Sequence, residues 1–152
     1  MSNEESAGLP IFEAWRDGFG GGVGLWDYAA QKGGATLALA FASLFWPRLI
    51  DVDGCVFLAE RYDPDAHRQW LESLSERPEA LERTMNHVHL WDLFDPASEG
   101  IAAKELDRLA EVIAQTWRAA LVDQFPNRGG DVEIANDDES YGPTLTLFTT
   151  HA

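Results

Sequence analysis

The chain has 152 residues, of which 45% are hydrophobic and 24% charged, the balance of an ordinary folded domain. Asp and Glu number 26 against 11 Lys and Arg, which gives a formal net charge of −15 at pH 7. A field of that sign repels nucleic acid and anionic membranes, so neither is an expected partner. Cys55 is the single cysteine and can form no internal disulfide, and we expect a cytoplasmic protein.

The N-terminal third is predicted to be helical after a short tail. We expect residues 1–8 to be disordered and residues 9–152 to form one domain. Short helices are predicted over Leu9 to Trp15 and Leu25 to Lys32, with a glycine-rich loop between them. The segment from Ala35 to Trp46 is apolar on nearly every side, which favours a buried helix, although a strand is not excluded.

Two β-hairpins are predicted, one in the middle of the chain and one at its end. The first covers about residues 48–60, where the Asp53-Gly54 pair lies between two apolar stretches, the strongest local signal for a tight hairpin turn. The second covers about residues 131–150, because Val132 and Ile134 alternate with acidic residues before a Thr-, Leu- and Phe-rich strand.

Three helices are predicted between the hairpins. The first begins at Asp63-Pro64, where Asp63 caps free amides and Pro64 fits the first helical turn. The second runs from Pro78 to about Asp95, with Leu81, Met85, Val88 and Trp91 on one stripe. The third, from Ala102 to Phe125, has an uninterrupted apolar stripe, would be roughly 35 Å long, and ends at Pro126.

These elements predict an α+β fold in the order helices, hairpin, three helices, hairpin. An isolated hairpin is marginally stable in water, so we expect both hairpins to join in one small antiparallel sheet. Helices would cover one face of that sheet, with the long helix crossing it.

A histidine pair provides the candidate metal ligands. On a strand, His87 and His89 would point the same way and could share a metal, but on the predicted helix they lie about 200° apart. His89 and Asp92, three residues apart, are therefore the predicted metal-binding pair, with His67 or Asp63 as possible further ligands.

The densest acidic run provides the candidate binding site for a partner. Asp137, Asp138 and Glu139 lie in the predicted loop between the last two strands, and the run does not have the spacing of a calcium loop. A basic protein surface is the partner that such a loop would attract.

The chain has no recognisable nucleophile or phosphate-binding motif, and no cofactor is predicted. Our leading hypothesis is a non-enzymatic acidic module that binds and neutralises a basic protein, in the manner of an immunity protein or inhibitor. The first alternative is a small metal- or ligand-binding enzyme that uses His87, His89 and Asp92. The second is a homodimeric scaffold whose apolar surface pairs with itself.

Overall fold

The structure is a computed structural model, and it describes residues 8–74, 77–136 and 141–151. The predicted disordered tail, apart from Gly8, lies outside these residues. In chain order the first elements are α1 (Pro10–Asp17), α2 (Leu25–Lys32), α3 (Ala35–Phe45), β1 (Leu49–Val52), β2 (Cys55–Leu58), a short 3-10 helix (Ala59–Arg61) and α4 (Pro64–Ser73). Then come α5 (Pro78–Met85), β3 (His87–His89), α6 (Leu90–Leu93), α7 (Pro96–Glu99), α8 (Ala103–Gln124), β4 (Gly130–Ala135) and β5 (Thr144–Thr149).

The α+β class and both hairpins are confirmed. In the first hairpin β1 pairs with β2, and the turn has φ of +54° at Asp53 and +84° at Gly54. Positive φ at both central residues is what a two-residue hairpin requires, and it explains the Asp-Gly pair. In the second, β4 pairs antiparallel with β5, with Val132 opposite Leu147.

The prediction of one sheet is wrong. Strands β1 and β2 form one sheet and β3, β5 and β4, in that order, form another, and among the described residues no strand of one pairs with a strand of the other. Helices also lie on both sides of the first hairpin. Val56 and Leu58 pack in the core built on α8, whereas Cys55 and Phe57 pack against Leu81 on α5.

The long helix α8 is confirmed as the centre of the core. Its apolar stripe is buried against residues of both sheets. The buried residues of the stripe are Leu106, Ala110, Ile113, Ala114, Trp117, Ala120 and Leu121.

Two polar side chains, Glu82 on α5 and Asn86 at its C-terminal end, connect the two sheets through hydrogen bonds. The Glu82 carboxylate accepts the backbone N–H of Val56 in β2 at 2.7 Å and of Thr149 in β5 at 3.0 Å. The Asn86 side chain accepts the N–H of Leu58 at 3.0 Å, and it donates to the carbonyl oxygens of Val56 and Leu147. Both side chains are fully buried, so they satisfy edge groups that would otherwise be stranded in the core.

The predicted helix from Pro78 to Asp95 is also wrong, because it breaks after Met85. Asn86 ends α5, and residues 87–89 form β3, which pairs with β5. The apolar residues that predicted one helix stripe pack in two different places. Leu81 and Met85 pack against the first hairpin, whereas Val88 lies in the core built on α8. Over three residues a strand buries a single side chain, here Val88, and that one apolar position fits the spacing of a helix equally well.

Candidate functional site

Helix α3 is a helix as predicted, but it is not buried. None of its residues is fully buried, and every residue from Ala35 to Ser43 is exposed. We use the name α3 surface for its four large exposed side chains: Leu37 (50% exposed), Leu39 (71%), Phe41 (38%) and, just after the helix, Trp46 (46%). Residues 33–47 carry no charge at all.

The inner side of α3 is fixed to the rest of the fold. Leu44 and Phe45 pack against the core, and the indole N–H of Trp117 donates to the Leu44 carbonyl oxygen at 2.7 Å. Phe41 belongs to the α3 surface and also contacts the rest of the fold, because its ring stacks on Phe94, with 6.0 Å between the centroids and 12° between the planes. The α3 surface is therefore presented by an anchored helix.

A groove runs beside the α3 surface. It has a volume of about 370 Å³ and is lined mainly by apolar side chains, with Glu60 and Arg61 as its charged members. Its lining residues are Ser43, Leu44, Pro47, Leu58, Glu60, Arg61, Val88, Leu93 and Trp117. A partner that covered α3 could place an apolar side chain in this groove.

Two arginines, one on α5 and one on α8, are paired with acidic side chains. Arg83 binds Glu79 and Glu133, and Arg118 binds Asp131, whose pKa is lowered because the Arg118 guanidinium hydrogen-bonds to it. The carboxylates neutralise these arginines. Because acidic residues outnumber basic ones, the electrostatic field around the molecule is negative.

The acidic run Asp137, Asp138 and Glu139 lies outside the described residues. Its role in binding a partner stays a prediction.

The structure puts the histidine pair on a strand, which overturns the argument that separated the two rings. His87 and His89 lie on the same side of β3, edge to face, with 4.9 Å between their centroids. His87 Nδ1 is 2.8 Å from the hydroxyl of Thr146. The pKa of His87 is lowered by burial and, to a smaller extent, by the adjacent His89.

His89 and Asp92 both contact Tyr141. The Tyr141 ring meets His89 edge to face at 4.6 Å between centroids, and its hydroxyl donates to Asp92 at 3.2 Å. The charge of Asp92 raises the pKa of Tyr141. His89 Nδ1 is buried without a hydrogen-bond partner among the described residues. Metal binding by this pair stays a prediction, and bound metal together with an EDTA-dependent melting temperature would support it.

Sequence reasoning missed a second set of residues with metal-binding chemistry. Cys55 on β2, Glu82 on α5 and His151 just after β5 each offer a ligand atom, and these atoms lie within 4.8 Å of one another. The three residues are far apart in the sequence and have no motif spacing, so no sequence signal could have grouped them. Among the described residues, no other group of three or more His, Cys, Asp or Glu side chains lies close enough to hold a metal ion. The cluster contains neither His89 nor Asp92.

Within the described part of the chain, no helix has the length and apolar character needed to cross a bilayer. Comparison with known protein families, with curated proteins and with solved structures gives no match.

Proposed function

We propose that the chain is a non-enzymatic protein-binding module that docks a basic protein on the α3 surface. The observation that carries this proposal is a helix without charged residues whose large apolar side chains are exposed. Burying a leucine or phenylalanine side chain stabilises by about 1.5–3 kcal/mol relative to leaving it in water. Several large apolar side chains exposed on one uncharged, anchored helix favour a binding surface.

The charge of the chain favours a basic partner over a second copy. Two copies, each with a formal charge of −15, repel one another as they approach. A basic protein is attracted by the same field, which raises its association rate, while the α3 surface contributes the apolar contact. Apolar contacts at the centre and charges around them are the usual arrangement of a protein interface.

The homodimeric scaffold is the second candidate, and the same helix supports it. Because α3 carries no charge, two such acidic chains can meet there without opposing carboxylates. A dimer of this kind would resist salt, whereas the complex with a basic partner would weaken as salt increases.

Site-specific photo-crosslinking tests the proposal. We would place a photo-reactive amino acid at position 39 and, as a matched control, at position 122, because Val122 is also apolar and 65% exposed but lies on α8. We expect position 39, but not position 122, to crosslink to a protein with a high isoelectric point. The yield of this crosslink should fall at high salt. A crosslink between two copies would favour the scaffold, and equal crosslinking from both positions would refute the proposal.

A further inference from the structure

The Glu82 carboxylate lies in the core with an unusual set of neighbours. Glu82 is fully buried, and one of its oxygens lies 2.8 Å from Nε2 of His151, whose side chain is 19% exposed. The thiol of Cys55 completes the cluster, and Cys55 is 4% exposed. A thiol, a carboxylate and an imidazole therefore converge from three separate elements, one of them open to solvent.

We infer that Cys55, Glu82 and His151 form a zinc site. Sulfur, oxygen and nitrogen are the ligand atoms that zinc takes in proteins, and three protein ligands with an open fourth position are typical of an accessible zinc ion. Water would take the fourth position from the side on which His151 reaches solvent. This inference is independent of the docking proposed for α3.

The observed spacing is close to what zinc requires. Zinc–ligand bonds of about 2.0–2.3 Å in a tetrahedron place the ligand atoms roughly 3.2–3.7 Å apart. The three ligand atoms here lie within 4.8 Å of one another, and the Glu82–His151 contact is 2.8 Å. Side-chain rotation of Cys55 toward the carboxylate and a small opening of the Glu82–His151 contact would accommodate the ion.

The charges of the site also balance. One Zn²⁺ with a thiolate at Cys55 and the carboxylate of Glu82 is neutral overall, which suits a buried position. Binding releases the thiol proton to solvent. In the metal-free chain, burial and then the charge of Glu82 raise the pKa of Cys55 to about 11, although the charge of Arg128 acts in the opposite direction.

Groups around the ligands hold them in place. The backbone N–H groups of Val56 and Thr149 orient the Glu82 carboxylate. The Thr149 hydroxyl donates to Glu82 at 2.7 Å and accepts a hydrogen bond from Arg128, also at 2.7 Å. Such outer contacts fix the geometry of metal ligands, and removing one typically weakens metal binding about 10–100-fold.

Metal titration of the full chain tests the inference. After treatment with a chelator, the chain is titrated with zinc by calorimetry, and with cobalt(II) as an optical probe of the ligands. We expect one zinc per chain, and a thiolate-to-cobalt charge-transfer band that is lost in C55A. We also expect H151Q to weaken zinc binding by at least about 10-fold.

The matched control is E111Q, which removes an exposed carboxylate on α8 outside the cluster and should leave zinc affinity unchanged. H89Q tests the competing His89–Asp92 pair. H151Q is the key variant because His151 lies after the last strand and is partly exposed, so its loss leaves the core packed. Circular dichroism verifies that it folds. The inference is overturned if the chain binds no zinc, if H151Q binds zinc as tightly as the wild type, or if H89Q abolishes binding.

Discussion

Glu82 and Asn86, four residues apart, together occupy the edge of β2 that no strand covers in the described part of the chain. Each reaches β2 and β5 at once, so the two side chains replace the backbone ladder that would have made a single sheet. The two sheets are therefore connected by side-chain hydrogen bonds from one residue of α5 and from the residue that ends it.

Substituting Asn86 with Ala should strongly destabilise the chain. The change leaves the Leu58 N–H and the carbonyl oxygens of Val56 and Leu147 without the Asn86 side chain in a buried setting. Each stranded group costs about 1–3 kcal/mol, so the free energy of unfolding should fall by about 3 kcal/mol or more. Urea denaturation measures it. The exposed Asn127→Ala is the control and should change stability by less than about 0.5 kcal/mol. An equal loss of stability in the two variants would contradict the proposed role of Asn86 in connecting the sheets.

Substituting Gly142 with Ala should destabilise more than the same change at Gly54. Both glycines have positive φ, +73° and +84°, so each substitution introduces backbone strain of about 1–2 kcal/mol. A Cβ at Gly142 would also lie 2.1 Å from Nε1 of Trp91, whereas one at Gly54 meets nothing within 4 Å. Thermal unfolding of the two variants therefore separates backbone strain from the steric clash. A smaller loss in G142A would contradict the close approach of Trp91.

The stability of the metal-free chain should fall with rising pH through Cys55. The thiol pKa is raised from 9.0 to about 11 in the folded state, so above pH 9 the thiol ionises first in the unfolded chain. The unfolded state then gains stability until the pH passes about 11. Denaturant unfolding of wild type and C55A between pH 8 and 11, in the presence of a chelator, measures the difference. If the difference in the free energy of unfolding between wild type and C55A stayed constant with pH, the raised pKa of Cys55 would be contradicted.

Substituting Leu39 with Lys should leave stability nearly unchanged while it abolishes docking on the α3 surface. Leu39 is 71% exposed, and surface substitutions usually change stability by less than about 0.5 kcal/mol. Leu81, 1% exposed, is the contrasting position, and L81A should lose about 2–5 kcal/mol. Chemical denaturation compares them. A large loss in L39K would mean that the side chain contributes to the core of the free chain.

The local signals in the sequence were sufficient for most of the elements. The Asp53-Gly54 turn, the stripe of α8 and the alternation of Val132 and Ile134 each depend on neighbouring residues alone. The failures came from interactions across the chain. The division of residues 78–93 into α5, β3 and α6 depends on the pairing of β3 with β5, which periodicity over three residues cannot reveal.

The same limit explains what was missed at the candidate sites. A helix that is apolar on nearly every side is normally buried, but none of the described residues covers the exposed side chains of α3. Cys55, Glu82 and His151 meet because three elements converge, and nothing near any one of them in the sequence indicates the others. The histidine pair was recognised, but its geometry depended on the secondary structure that was wrongly assigned.

The shallow attachment of α2 has a consequence for slow motions of the chain. No residue of α2 is buried, and its clearest contacts are with its neighbour α1, through the ring of Tyr28 against Phe12 and Trp15. Such a helix can open without disturbing α8. Its amide hydrogens should exchange with deuterium long before those of α8, and a ligand that covers this end of the molecule should slow them selectively.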